Sequence, residues 1–163
     1  MAISKEKKKD ILKKVKDAVD TSDSVVFVNF HGLGVSDTTE LRRELRNKGV
    51  GYTVAKKTLV RRALDDASID GDMPSMDGEL AIAYAKDLIA PAREVYAFQK
   101  QHKDNLAILG GVFDGKYMGK DEMMEIATIP ETPVLYGQFV NLINSPIQRF
   151  AVVLDQITQK KEA

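Results

Sequence analysis

Apolar residues recur along this chain at two periods, and the switches between them mark the elements. Ile11, Leu12, Val15, Ala18 and Val19 fall at helical spacing, which predicts a helix over residues 4–20 with Ser4 as its N-cap. Ser24-Val25-Val26-Phe27-Val28-Asn29-Phe30 is β-branched and aromatic with almost no alternation, the pattern of a strand buried on both faces. A turn at His31-Gly32-Leu33-Gly34 leads to a helix over residues 36–48. Asp37 with Glu40 makes a capping-box-like start for it, and Gly49 ends it. Tyr52-Thr53-Val54-Ala55 predicts a second strand, and residues 56–66 a third helix with Leu59, Val60, Ala63 and Leu64 inward. A loop over 67–78, rich in Asp, Gly and Met, precedes a strand at 80–85 and a helix at 90–101 with Pro91 in its first turn. A strand at 106–113, a hairpin turn at Asp114-Gly115, a short strand at 116–118 and a helix at 120–127 complete the body. Helices and strands alternate, so the expected fold class is α/β. Residues 1–130 read as a compact N-terminal domain with a mixed sheet and packed helices. No internal repeat is evident.

The last thirty residues follow another rule. Leu135, Phe139, Leu142 and Ile143 come first, and Ile147, Phe150, Ala151, Leu154 and Ile157 then form one helical stripe, with Val152 and Val153 well off it. A helix docked on its own domain needs only one apolar face. A helix apolar on two faces at the end of a chain meets something else as well. Residues 131–163 are therefore expected to form an extended C-terminal helical tail, kinked or broken near Pro146, which serves as a docking rod for partner proteins.

Composition narrows the class. At 44% hydrophobic and 29% charged residues, the composition is that of a globular protein and argues against disorder throughout. The absence of cysteine excludes disulfides and thiolate metal sites. No run is long enough to span a membrane, and no apolar signal core follows Met1, so the expected location is the cytoplasm. The net charge of zero conceals an asymmetry. Residues 1–62 hold 15 Lys+Arg against 8 Asp+Glu, and residues 63–163 hold 9 against 16. An excess of +7 in the first part points to an anionic partner there.

The basic residues concentrate at a few places. Arg42, Arg43, Arg46 and Lys48 lie on or beside the second helix. Lys56-Lys57-Thr58 opens the third, which continues to Arg61 and Arg62. Backbone amides at that helix start, with Thr58 and the lysines, suit phosphate oxygens. Lys7 and Lys8 belong to a lysine crowd near the first helix start, a placement the macrodipole disfavours unless a polyanion lies near. No aromatic side chain alternates with these cations, which favours a folded RNA or duplex backbone over base stacking on a single strand. The bland alternative is a well-solvated charged surface.

Catalytic chemistry is thin. His31 and His102 stand far apart with no ligand-like spacing. Gly32-Leu33-Gly34 could be half of a dinucleotide fingerprint, but Asp37 takes the third glycine position and repels a pyrophosphate. Asp70, Asp72, Asp77 and Glu79 do not match a calcium loop. Met73, Met76, Met123 and Met124 read as core filler or loop contacts. No cofactor and no metal are expected, and the chain does not read as an enzyme.

Three runs carry a family likeness: Val26 to Val35, Leu41 to Arg46 with Gly49, and Tyr52 to Leu59. With Gly110-Gly111-Val112-Phe113-Asp114-Gly115, Ile126-Ala127-Thr128-Ile129-Pro130 and Ser145-Pro146-Ile147, they resemble the bacterial large-subunit ribosomal protein L-ten family, the base of the ribosomal stalk. The likeness covers essentially the whole chain through the order and spacing of its motifs. It implies a structural constituent of the large ribosomal subunit whose N-terminal domain binds rRNA at the GTPase-associated region, beside protein L-eleven. It implies a C-terminal helix that carries dimers of the acidic stalk protein L-seven/L-twelve, which recruit translational GTPases. In some bacteria the complex also represses its own mRNA. Lys57 departs from the family, where Asn is common, and the tail is shorter than the longest family versions. At about three turns or roughly 16 Å per dimer, residues 134–144 and 147–158 give room for two dimers. Three rivals remain: a general protein adaptor with no rRNA role, a phosphate- or nucleotide-binding enzyme built on the loop at 31–37, and a tail that packs back on the body as a core helix.

Overall fold

The computed structural model describes residues 5–67, 69–102 and 105–162, the side chains of Lys5, Lys7, Lys8, Lys161 and Glu162 excepted. Ser4, expected as an N-cap, lies outside the described residues. The chain divides into two compact units, residues 1–129 and 130–163.

The first unit runs α1 (Lys5–Thr21), β1 (Ser24–Phe30), α2 (Val35–Asn47), β2 (Gly51–Val54), α3 (Lys57–Asp66), β3 (Leu80–Ala85), α4 (Ala90–Gln101), β4 (Leu106–Phe113), β5 (Lys116–Met118) and α5 (Lys120–Ala127). The α/β expectation holds. The sheet has the order β2-β3-β1-β4-β5, and each neighbouring pair is antiparallel rather than mixed. The reason lies in the crossovers. β1 and β2, joined through α2, point the same way with β3 between them. β3 and β4, joined through α4, flank β1 in the same manner. Two interleaved split β-α-β units thus keep parallel strands apart.

β1 sits at the centre, and its period-two alternation feeds two cores. Val26 and Val28 pack with Leu41 and Leu45 of α2, Val95 and Phe98 of α4, and Met123 and Ala127 of α5. Val25 and Phe27 pack on the opposite face with Val15 of α1 and with Val60, Ala63 and Leu64 of α3. Helices cover both faces, which is why β1 carries so few polar residues. At Gly111 of β4 an added Cβ would lie 2.5 Å from the Val25 carbonyl oxygen and 2.5 Å from Met123 Cε. The missing side chain lets α5 close on the sheet. The hairpin turn has φ of 50° at Asp114 and 75° at Gly115, the left-handed pair that a two-residue type I′ turn needs.

One cap differs from expectation. The N-cap of α2 is Gly34, in extended backbone, and Asp37 sits inside the first turn. The Thr38 amide and hydroxyl both donate to the Gly34 carbonyl, at 2.9 and 2.8 Å. With Gly34 at the N-cap, Asp37 falls at the third helical position and Glu40 beyond the first turn, so the Asp37–Glu40 pair is not the capping box of α2. Gly49, with φ of 74°, turns the chain out of α2 into β2 as expected.

The second unit is one helix, α6 (Thr132–Glu162), with Pro146 inside it. Its 31 residues span about 46 Å. Among the described residues, no helix is long and apolar enough to cross a membrane.

Candidate nucleic-acid interface and apolar docking helix

Fold placement divides the basic residues into two clusters on either side of the edge strand β2. Arg42, Arg43 and Arg46 lie exposed on α2, in the same layer as α4 and α5. Lys57, Thr58, Arg61 and Arg62 lie exposed on α3, with Lys56 as its N-cap, in the same layer as α1. The side chains of Lys7 and Lys8 lie outside the described residues.

The α3 cluster has the chemistry of an anion site. The first turn of α3 contains no acidic residue, and Lys56 makes no side-chain cap. The amides of Leu59 and Val60 donate to the Lys56 carbonyl at 2.8 and 3.2 Å, so those of Lys57 and Thr58 precede the intrahelical ladder and face outward. Lys57 and Arg61 stand one turn apart, both exposed, at the border of the buried stripe of Val60, Ala63 and Leu64. Macrodipole, free amides and cations therefore act in the same direction. α1 packs beside α3, where Lys16 meets Asp66 at 3.3 Å with both side chains partly exposed. A pair that wet contributes little to stability; it marks the α1–α3 alignment.

The α2 cluster is less uniform. Arg43 reaches Glu40 at 3.9 Å, both exposed. Arg42 instead lies over the Tyr52 ring, 5.8 Å from its centroid. Burial pushes the Tyr52 hydroxyl up to about 12, while the Arg42 charge pulls the other way. The sequence pattern suggests cations without aromatic company. The antiparallel return of β2 along α2 places Tyr52 beneath Arg42, a neighbour that linear spacing conceals.

The loop at 31–37 is tied to Asn105, just ahead of β4. His31 N–H donates to the Asn105 carbonyl at 3.0 Å, and Asn105 Nδ2 donates to the Gly32 carbonyl at 3.2 Å. The Asp37 carboxylate lies 3.3 Å from where a Gly34 Cβ would stand, so the start of α2 already has its own anion. His102 stacks on Phe98 with ring centroids 4.5 Å apart. Among the described residues, no three His, Asp or Glu side chains group to hold a metal ion.

α6 presents the opposite material. Leu135, Phe139, Leu142, Ile143, Ile147, Phe150, Leu154 and Ile157 are between 38% and 71% exposed, and Ala151 is exposed too. Because Pro146 does not end the helix, both halves share one register. At helical pitch these residues, with Tyr136, Val140 and Val153, occupy about half of the circumference. Gln138, Asn141, Asn144, Gln148, Arg149, Asp155 and Gln156 take the other half. The apolar surface is thus one wide face with Val134 and Val152 outside it, rather than two faces. Continuity also reveals a repeat. Residues 136–146 and 147–157 match at an offset of 11, with Tyr136/Ile147, Phe139/Phe150, Val140/Ala151, Leu142/Val153 and Ile143/Leu154 in register. Such an offset advances about 16 Å along the axis and turns only about 20°. Apart from Phe139/Phe150 only the apolar character repeats, so the letters conceal it.

Residues 3–100 match the family model described as Ribosomal protein L10. The chain is similar to the large ribosomal subunit protein uL10 of Staphylococcus carnosus, with 34% identity over 158 residues covering 96% of this chain and 95% of that protein. The uL10 protein of Acidovorax sp. (strain JS42) is 35% identical over 161 residues, covering 99% and 95%. That of Dehalococcoides mccartyi (strain CBDB1) is 35% identical over 150 residues, covering 91% and 85%.

Proposed function

Because the chain belongs to the ribosomal protein L10 family and is a structural constituent of the large ribosomal subunit, we propose that it joins two partners: rRNA at the basic clusters of its first unit and dimers of the acidic stalk protein L-seven/L-twelve along α6. As a member of that family it is not an enzyme, and as a component of the large subunit it is cytoplasmic.

The observation that carries the proposal is the half-circumference apolar face of α6. A soluble chain that leaves Phe139, Leu142, Ile147 and Phe150 each more than 60% exposed has a surface that partners cover. Each aliphatic anchor, when covered, contributes roughly 1.5–3 kcal/mol at about 25 cal/mol per Å². Several anchors per repeat leave a surplus after association entropy is subtracted. The two 11-residue repeats then seat two stalk dimers in the same orientation, one after the other along the helix. Those dimers recruit translational GTPases.

The α3 start and the α2 arginines support the rRNA half. The proposed target is the GTPase-associated region, with protein L-eleven as neighbour. Phosphate contacts of this kind weaken steeply with salt. An adaptor without an rRNA role has no need of Lys57, Thr58, Arg61 and Arg62 around open helix amides.

Co-expression with the acidic stalk protein tests the tail. Native mass spectrometry of the full-length complex is expected to show four stalk-protein copies, and a chain truncated after Pro133 none, with the melting temperature of the first unit kept. Full-length protein that captures no copy, or a truncated one that keeps them, sinks the docking role. Collapse of the melting transition on truncation would instead make α6 a core helix.

A further inference from the structure

A groove follows the free edge of β2. Arg42 and Arg46 of α2 form one wall, the backbone from Gly49 to Thr53 the floor, and Tyr84 of β3 closes the far side. It encloses about 470 Å³, within the range of small-ligand clefts.

Local sequence builds it. Gly49 at φ of 74° reverses the chain, and the Val50 amide donates to the Leu45 carbonyl at 2.8 Å. β2 therefore returns under α2, where Arg42 and Arg46, one turn apart, overhang it. Among the described residues neither arginine has a carboxylate partner; Arg42 rests on the Tyr52 ring. On the other side Tyr84 pairs with Gly51 across the ladder. A Cβ on Gly51 would stand 2.5 Å from two Tyr84 ring carbons, so only glycine lets that ring lie across the strand at the groove.

Two unpaired guanidinium forks suit one phosphate, and an aromatic ring beside them suits one base. A base held in an A-form helix has both faces covered by its stacked neighbours, so such a ring takes only a base that is splayed out. We propose that the β2-edge groove receives an unpaired nucleotide of the bound RNA, its phosphate on Arg42 and Arg46 and its base against Tyr84. This rests on the rRNA-binding reading and adds to it a preference for RNA with an extruded nucleotide.

The test uses the full chain and an rRNA fragment of the GTPase-associated region in which each unpaired nucleotide in turn is replaced by 2-aminopurine. One position is expected to lose fluorescence on binding. Tyr84→Leu should abolish that quench and weaken binding to the fragment about tenfold, while leaving affinity for a fully paired RNA of equal length unchanged. Arg46→Gln alters an exposed helix position, so its fold is secure, and it should weaken binding to the fragment more than to the duplex. If the fragment binds but no position is quenched, or if the quench survives both substitutions, the nucleotide pocket is overturned and rRNA binding stands. Failure of the wild-type chain to bind the fragment at all overturns the rRNA reading itself.

Discussion

Phe27 and Phe150 are the same side chain with opposite fates: the first is fully buried in the sheet, the second is 66% exposed on α6. The contrast extends to the two units that hold them. The first unit spends its apolar residues internally, on two cores that share β1 as a common wall. The second leaves an apolar face as wide as half the helix open. Hydrophobicity alone thus does not say which surface it will meet. The first unit can satisfy its strands because helices cover both sheet faces. A lone helix has no second layer of its own, and isolated helices draw little stability from propensity. On the function proposed above, stalk-protein dimers cover the apolar face of α6.

The largest test of that contrast lies in the paired phenylalanines. Phe27→Ala should cost about 3–5 kcal/mol of stability, enough to lower the melting transition by many degrees in calorimetry. Phe150→Ala should leave the first unit within about 0.5 kcal/mol of wild type and instead weaken stalk-protein binding by tenfold or more in titration calorimetry. Equal thermal effects from the two would erase the distinction between the units.

Close packing on the first unit offers the next test. Gly111→Ala places a methyl group 2.5 Å from the Val25 carbonyl oxygen and from Met123 Cε. Met123 can swing away; the strand carbonyl cannot. The expected cost is about 1–3 kcal/mol, read as a lower urea midpoint with an unchanged slope. Gly137 of α6 has nothing within 4 Å of its would-be Cβ. Gly137→Ala should therefore increase α6 helicity slightly, by about 1 kcal/mol of helix propensity at most.

Arg61→Gln sharpens the RNA side. It should weaken binding to the rRNA fragment similarly across sequences and reduce the slope of log affinity against log salt by about one. An unchanged slope would remove Arg61 from the phosphate contacts.

The smallest effect is in alkali. Burial raises the Tyr52 hydroxyl from 10.0 to about 12. The folded state therefore holds its proton more tightly than the unfolded chain does. The corresponding stability is fully present below pH 10 and declines as pH rises towards about 12. Tyr52→Phe should flatten that decline in urea midpoints measured from pH 9 to 12.

Much of the body was legible along the chain. The β1 span Ser24–Phe30 and the β3 span Leu80–Ala85 match their apolar runs, and Asp114-Gly115 is the turn it resembles. These signals are local: side-chain period, β-branching, and residues that tolerate positive φ. The features that differ from the sequence pattern all involve what lies beside what. The sheet order and its antiparallel pairing depend on which strand fills the gap left by each crossover. Gly34 is the N-cap of α2 because its carbonyl accepts the first helical bond, from the Thr38 amide, a start that Asp37 and Glu40 do not disclose.

The amino-acid order by itself determined where the elements lie, that the first part is cationic, and that the last helix carries more apolar surface than a lone domain would use. Those properties follow from residue type and short-range spacing, so no partner strand is needed to read them. Tertiary structure alone decided that Tyr52 and Tyr84 join Arg42 and Arg46 around one strand edge, and that the α2 and α3 cations stand in different layers. Continuity of α6 through Pro146 likewise merged two apolar segments into one face with an 11-residue register. Each of those outcomes depends on a backbone path through space, and side-chain period carries no record of that path.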